Sequence, residues 1–292
     1  MNTVMVLGAG YMGSGIAQVC ANGGYRVLLY DIAEEYINKG IQKIKTGLDA
    51  RILKGKETEE HRDALLARIE PVTDLSAASE ADLVLEVVVE NIDVKKDVLS
   101  KVESFLPASS YIGTNTSYIP ITALGECLQR PENFLGMHFF GPVPAMKLLE
   151  LIRGEKTSDA AVEMAKNFAP TIGKTPIVVK KDSAGFLVNR INAAIRMEAY
   201  RCYEEGIASI ADIDTATKLG LNHPMGPFEL NDMSGLEVGL SGLDTLYNRT
   251  GDERWKAIDK VREMVKAGEL GRKTGKGWYD YTSGEKQERT DL

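Results

Sequence analysis

The sequence predicts an α/β fold, an N-terminal Rossmann-type doubly wound sheet with a helical insertion, followed by an all-α C-terminal domain. Two observations support this prediction. A glycine-rich turn at residues 8–13 joins a short apolar run to a helical pattern, and further apolar runs alternate with polar helical stretches up to residue 179. Beyond residue 183 only helical periodicity remains. We therefore predict two domains, residues 1–183 and 184–292.

Short apolar runs mark the predicted strands of the first domain. The run 4–7 reads as the first strand, and residues 16–21 have the periodicity of a helix that stops at Gly23-Gly24. The second strand, 25–30, ends at Asp31. Later runs at 83–89, 111–112, 134–140, 147–152 and 176–179 complete the pattern of a mostly parallel sheet.

The segment 37–69 is charged and amphipathic, and it reads as an insertion of two helices. We predict helices over 41–53 and 58–69, separated by Gly55. Thr58 is the expected N-cap of the second helix.

The C-terminal domain is predicted from apolar residues at helical spacing. Val188, Ile191, Ile195 and Ala199 follow this spacing in a helix that begins near Phe186, and Ser209 is expected to open the next helix. These apolar faces exceed what a bundle of this length would cover alone, so we expect a homodimer.

Composition excludes several classes of function. The chain has 292 residues, of which 43% are hydrophobic and 26% charged, and its formal net charge of -7 argues against nucleic acid or an anionic membrane as partner. No apolar run approaches the roughly 20 residues that span a bilayer. The three cysteines have no metal-binding or disulfide-scaffold spacing, so we expect no metal and a reducing, cytoplasmic setting.

The glycine-rich turn has the spacing GxGxxG between a strand and a helix, which is typical of a dinucleotide site. Gly8 allows a tight turn, Gly10 lets the backbone approach a pyrophosphate, and Gly13 permits close packing of helix on sheet. Asp31, at the end of the second strand, would accept hydrogen bonds from the ribose hydroxyls. Its charge would repel a 2′-phosphate and no arginine follows it, so the sequence favours NAD over NADP.

The segment 137–150 places His138 and Glu150 at opposite ends of a turn that contains Pro142 and Pro144. A neutral imidazole oriented by a carboxylate can take a proton from an alcohol. The dinucleotide site would carry the hydride. Together these features indicate a dehydrogenase.

The motifs, in order, resemble those of the L-3-hydroxyacyl-CoA dehydrogenase family, including bacterial 3-hydroxybutyryl-CoA dehydrogenases, over nearly the whole chain. They are AGYMG at 9–13, EVVVEN at 86–91, TNTS at 114–117, HFFGPVP at 138–144 and GRKTG at 271–275. The resemblance implies two domains, NAD on the first, and an acyl-CoA thioester as substrate. It also implies a place in fatty-acid oxidation or butyrate-type synthesis.

The resemblance also implies roles for individual residues. His138 matches the family's catalytic histidine and Glu150 the acid that orients it, while Ser117 and Asn189 match the residues that hold the substrate oxygen. Lys54 matches a lysine that contacts CoA, although the neighbouring glutamates leave simple solvation of this helix open. The implied cofactor-binding residues, besides the three glycines, Asp31 and Ser117, are Tyr11, Met12, Glu90, Lys95 and Lys273.

The chain departs from the family at Gly141, where the family usually has an asparagine that helps to bind the cofactor. Two interpretations remain open: a water or a neighbouring group replaces the missing side chain, or the space admits a bulkier acyl group. The alternatives to a short-chain thioester are therefore a free 3-hydroxy acid and an aromatic or alicyclic acyl-CoA. A catalytically silent NAD-binding protein is a further alternative, because fold does not by itself confer activity.

Overall fold

The computed structural model describes all residues, 1–292, and the chain divides into two compact units, Met1–Ser183 and Ala184–Leu292. Each unit has its own hydrophobic core.

The first unit is built on one eight-stranded sheet, with strands β1 Thr3–Leu7, β2 Arg26–Tyr30, β3 Ile69–Val72, β4 Leu83–Glu86, β5 Tyr111–Thr114, β6 Phe134–Phe139, β7 Leu148–Ile152 and β8 Thr175–Val179. Their order across the sheet is β3-β2-β1-β4-β5-β6-β7-β8. The first six positions have the order of a dinucleotide-binding sheet, and all their pairings are parallel, which confirms the predicted doubly wound fold. Strand β7 runs antiparallel to β6, and β8 is parallel to β7.

Helices cover the sheet because its strands are apolar on both faces. Every residue of β1 and of β6 is buried, as expected for interior strands of a sheet that is covered on both faces. Helix α1, Tyr11–Asn22, buries Ile16 and Ala17 in the core of this unit. The later helices of the unit are α4 Ile92–Glu103, α5 Ile121–Gly125 and α6 Asp159–Thr171.

The insertion consists of two helices, as predicted, but its bounds differ. Helix α2 spans Glu34–Ile52 and begins seven residues before the predicted 41, because Glu34 and Glu35 fill a first helical turn, where acidic side chains are favourable. Helix α3, Glu59–Leu66, has Thr58 as its N-cap, with the hydroxyl accepting from His61 N. It ends three residues before the predicted 69, because Ile69–Val72 forms β3 at the sheet edge, where Pro71 is tolerated.

The second unit is helical apart from one short ladder. Its core includes Trp278, Tyr200 and Phe228. Ser209 caps the second helix through Asp212 N, as predicted. Two strands of two residues each, β9 Tyr279–Asp280 and β10 Gln287–Glu288, pair antiparallel near the C-terminus and were not predicted. The helices are α7 Val188–Glu204, α8 Ile210–Gly220, α9 Pro227–Ser234, α10 Leu236–Thr250 and α11 Asp259–Lys266.

None of the helices combines the length and apolar composition that crossing a bilayer requires.

Candidate active site

The antiparallel register of β6 and β7 places His138 directly opposite Glu150. His138 Nδ1 lies 2.7 Å from Glu150 Oε2. The histidine is 3% exposed and the glutamate is fully buried, so water does not compete for this contact. Because a carboxylate can only accept, the contact assigns a proton to Nδ1 and leaves the lone pair of the neutral ring on Nε2.

The Nε2 atom of His138 faces the hydroxyl of Ser117 at 3.2 Å. Ser117 follows β5, and the side chain is half-buried at the start of a loop. An Nε2 lone pair with a hydroxyl beside it is the arrangement required to receive a proton from an alcohol. The structure thus brings together three of the four predicted catalytic residues.

Side chains from neighbouring elements hold the loop that carries Ser117. Glu90 Oε1 accepts from Thr116 Oγ1 at 2.5 Å and from the backbone N–H of Ser117 at 2.9 Å. Asn115 Oδ1 accepts from the backbone N–H of Phe139, next to His138, at 2.8 Å. The loop is therefore tied to β6 before any substrate binds.

Lys95 and Glu86 form a buried ion pair beneath this loop. Lys95 Nζ donates to Glu86 Oε1 at 2.7 Å, and both side chains are at most 1% exposed. The same ammonium lies 3.4 Å from Glu90 Oε2. Partial desolvation would raise the pKa of Glu90, but the Lys95 ammonium and the hydrogen bonds from the loop outweigh it and lower this pKa. Glu90 is thus held as a carboxylate.

The glycines of the fingerprint have the geometry that a dinucleotide requires. Gly8 has φ +107°, and a side chain at Gly13 would lie 1.8 Å from the carbonyl oxygen of Gly8. Beside Gly10 no atom lies within 4 Å of the position that a side chain would occupy, so the backbone there is open to a ligand. These three observations match the roles that the spacing predicts.

A cavity of about 430 Å³ begins at this turn and is large enough for part of a dinucleotide. Asp31 lines it, with Oδ2 accepting from the backbone N–H of Ala9 at 2.8 Å. Lys101 also lines the cavity, but Asp97 pairs with it at 2.7 Å. An acidic group with no free cation beside it fits the ribose hydroxyls of NAD rather than a phosphate. The residues present therefore fit NAD.

A second cavity, of about 450 Å³, extends from the turn toward the catalytic residues. Its lining includes Tyr11, Met12, Glu90, Lys95 and Ser117. All five are predicted cofactor-binding residues, and the structure groups them around one space.

Three other predicted site residues line neither of these cavities. Lys54 is exposed just after α2. In the second unit, Asn189 is half-buried in the first turn of α7, and Lys273 forms an ion pair with Glu237.

Two supporting residues were missed by the sequence reasoning. Glu86 is described above. Lys174 is 5% exposed, and its ammonium donates to the carbonyl oxygens of Val143 at 2.5 Å and Met146 at 2.7 Å, in the turn that joins His138 to Glu150. Its burial lowers the pKa of this ammonium. A charged residue inside or beside an apolar run was the available signal for both.

Two family models match the chain, one in each unit. The NAD binding domain of 3-hydroxyacyl-CoA dehydrogenase matches residues 3–183, and the C-terminal domain of the same family matches residues 185–281. The chain belongs to the 3-hydroxyacyl-CoA dehydrogenase family. The resemblance inferred from the motifs is thus confirmed, together with NAD as the cofactor of the first unit.

Individual relatives agree with the family models. A probable 3-hydroxybutyryl-CoA dehydrogenase of Deinococcus radiodurans is 42% identical over 276 residues, covering 94% of this chain and 99% of the relative. A 3-hydroxybutyryl-CoA dehydrogenase of Bradyrhizobium diazoefficiens is 40% identical over 278 residues, covering 95% and 94%. The crystal structure of (S)-3-hydroxybutyryl-CoA dehydrogenase from Ralstonia eutropha has a TM-score of 0.92 and 42% identity, covering 97% and 99%.

Proposed function

We propose that this protein catalyses the reversible, NAD-dependent oxidation of a short-chain L-3-hydroxyacyl-CoA, such as 3-hydroxybutyryl-CoA, to the 3-ketoacyl-CoA. The observation that carries the proposal is the buried His138–Glu150 pair, with Nε2 directed at Ser117, at one end of a cavity that begins at the dinucleotide turn. The names of the relatives support the substrate class.

His138 acts as the base in the oxidation. Its Nε2 takes the proton of the substrate 3-hydroxyl, and the resulting imidazolium is stabilised by Glu150 through Nδ1. When bound, NAD⁺ supplies the acceptor for the hydride that leaves the 3-carbon. In the reducing direction His138 returns the proton to the 3-keto oxygen. Nε2 of His138 therefore holds the transferred proton in both directions of the reaction.

Ser117 and Asn189 would hold the substrate oxygen. The Ser117 hydroxyl already lies within hydrogen-bond distance of Nε2, so a substrate hydroxyl at the same place would be shared between the two groups. Asn189 is assigned by the family resemblance, as is the contact of Lys273 with the cofactor. Lys54, exposed after α2, would contact the CoA phosphates.

The test of substrate class is the initial rate of NADH oxidation with acetoacetyl-CoA, acetoacetate, longer 3-ketoacyl-CoA thioesters and cyclic ones at matched concentrations. We expect acetoacetyl-CoA to be reduced faster than the free acid, because the thioester adds the contacts of the CoA moiety. Preference for acetoacetate or for a cyclic thioester would favour one of the alternative substrates. No activity with any of them would favour a catalytically silent protein.

A homodimer formed through the second unit is part of the same proposal. Several apolar side chains of this unit are exposed, including Leu219 at 82%, Leu221 at 66% and Ile207 at 65%. Light scattering after gel filtration should give twice the 32.0 kDa of one chain. A mass of one chain would contradict this part of the proposal.

We also propose a cytoplasmic location and a role in fatty-acid or butanoate metabolism. All three cysteines are free, as is usual in reducing compartments. Fractionation of cells, with the enzyme activity followed, tests the location.

A further inference from the structure

Gly141 lies just after β6, in the turn that follows His138, and its backbone does not require glycine. The φ angle of Gly141 is not positive, so other residues could adopt this backbone conformation. A Cβ atom at this position would nevertheless lie 2.9 Å from Tyr11 Cε1 and 3.3 Å from Met12 Sδ. Carbon contacts as short as the first essentially never occur. A side chain at 141 would therefore push the ring of Tyr11, the far end of an exposed side chain, out of the adjacent space.

This contact favours the interpretation in which a neighbouring group replaces the missing side chain at 141. The same Cβ would lie 3.4 Å from the hydroxyl oxygen of Tyr11. A neighbouring polar side chain thus reaches the place where a side chain at 141 would begin. The ring of Tyr11 and a side chain at position 141 would occupy the same volume, although 130 residues separate the two positions in the sequence.

Tyr11 lies where it can touch a bound dinucleotide. It is the first residue of α1, directly after Gly10, and it lines the cavity that also contains Ser117 and Glu90. Its side chain is 55% exposed, and the ammonium of Lys43 lies 4.4 Å from the centre of its ring. Its carbonyl oxygen accepts from Ser14, whereas its hydroxyl has no partner within the protein. The phenol is thus steered into the cavity by packing, with its O–H free to bind a ligand.

We propose that the Tyr11 hydroxyl is a cofactor-binding group, which donates a hydrogen bond to a ribose or phosphate oxygen of NAD beyond its AMP half, and that Gly141 makes the room for it. The inference rests on the proposed function only for the identity of the cofactor. We place the contact beyond the AMP half because Tyr11 lines the cavity that contains Glu90 and Ser117, whereas Asp31 lines the adjoining cavity on which Gly10 also borders. The cation above the ring favours the same placement, because it holds the phenol in position and adds positive charge near a phosphate.

The test measures binding to the purified protein by NADH fluorescence without substrate, and compares NADH, ADP-ribose and AMP, the last two by competition. Tyr11→Phe removes only the hydroxyl, and Gly141→Ala displaces the ring. We expect each to raise the Kd of NADH and of ADP-ribose by about 5–10-fold, the size of one hydrogen bond, and to leave the Kd of AMP unchanged. The matched controls are Tyr36→Phe, on the exposed surface of α2, and Gly47→Ala, in the same helix with nothing near its Cβ position. Both should keep the wild-type Kd of NADH, of ADP-ribose and of AMP.

Two double variants test the shared volume. In Tyr11→Phe/Gly141→Ala the hydroxyl contact is already lost through Gly141→Ala, so the double should bind NADH no more weakly than Gly141→Ala alone. Tyr11→Thr/Gly141→Asn replaces the ring by a small side chain and puts the polar group at 141, so it should bind NADH more tightly than Gly141→Asn alone. Both positions are exposed, so the variants should fold, which thermal unfolding checks.

Three results would overturn the inference: an unchanged NADH Kd in Tyr11→Phe, losses that multiply in the first double variant, or an equal loss of AMP affinity. Each of these can occur in a protein that binds NADH and reduces acetoacetyl-CoA normally. Failure of the proposed function would instead appear in the wild-type protein, as absence of NADH binding or of turnover. The two failures are therefore distinguishable.

Discussion

The role that we propose for Glu150 is to orient His138 and to balance its charge. The pair is buried, so the contact between Nδ1 and the carboxylate acts through a medium in which charges are weakly screened. The positive charge that develops on the imidazole during oxidation therefore interacts strongly with the Glu150 carboxylate. This makes the charge of Glu150, and not only its hydrogen bond, part of the site.

Replacement Glu150→Gln should lower kcat by about 10²–10⁴-fold, because the amide can still contact Nδ1 but does not stabilise the imidazolium. The Kd of NADH should stay within a factor of about two, since Glu150 is absent from the lining of both cavities. Steady-state rates with acetoacetyl-CoA and NADH fluorescence measure the two quantities. Glu163→Gln, on the exposed surface of α6, is the control. Full activity in Glu150→Gln would exclude the proposed role.

The sequence predicted the role of a residue where that residue belongs to a catalytic or binding motif. It did not predict the role of a residue that depends on burial in the fold. The proximity of His138, Glu150 and Ser117 followed from motifs that have a family precedent. The buried pair of Glu86 with Lys95 did not, because a charged residue reads as solvated surface until the fold removes it from water. The contact of Tyr11 with Gly141 joins two distant segments, and no local spacing encodes it.

The strand–turn–helix unit β1–α1 depends on the absence of side chains at Gly10 and Gly13. Gly13 lies against the carbonyl oxygen of Gly8, so the helix packs on the turn with backbone against backbone. The first turn of α1 then presents free N–H groups and the positive end of the helix dipole to the space beside Gly10. Anion binding and close packing thus have the same origin.

Gly13→Ala should therefore disrupt the turn, lower Tm and raise the Kd of NADH more than tenfold, because the new methyl group would overlap the Gly8 carbonyl. Thermal unfolding and NADH fluorescence give the two readings. Gly47→Ala is the matched control: it lies within α2 with open space around its Cβ position and should raise stability by about 0.5–1 kcal/mol. Wild-type NADH affinity in Gly13→Ala would contradict this account of the turn.

Elements whose apolar residues follow a regular strand or helix pattern were predicted from the sequence. Elements that are very short, or that contain residues unusual in a strand, were not. Strands β1 and β2 and the N-cap of α3 follow the sequence closely. Strand β3 was missed because its sequence, IEPV, contains a proline and a charge, and pairing at a sheet edge outweighs both. The ladder of β9 and β10 was missed because two-residue strands have no period to detect.

Glu229 connects three parts of the second unit. Its carboxylate binds Lys218 of α8, Lys286 near β10, and the backbone N–H of Gly226 at the start of α9. Partial burial alone would raise the pKa of Glu229, but these hydrogen bonds lower it from 4.5 to about 2. A lowered pKa means that the folded state favours the carboxylate, so its contribution to stability is present above pH 4.5 and is lost as the pH falls toward 2.

Glu229→Gln should lower the free energy of unfolding of this unit by about 1–2 kcal/mol at pH 7, and the difference from wild type should shrink as the pH falls from 4.5 toward 2. Both tryptophans, Trp255 and Trp278, are buried in the second unit, so their fluorescence follows its unfolding in urea. Glu263→Gln, exposed on α11, should behave as wild type. A difference that stays constant with pH would show that the charge of Glu229 is not the cause.

The central claim for the whole molecule is that a dinucleotide site and one base on the same sheet make this chain a dehydrogenase. The most direct test is to compare wild type with His138→Gln in one set of assays, measuring kcat for reduction of acetoacetyl-CoA and the Kd of NADH. We predict turnover by the wild type, a fall in kcat of at least about 10²-fold in the variant, and a nearly unchanged Kd. Equal kcat in the two proteins, or no turnover by the wild type, would contradict the account.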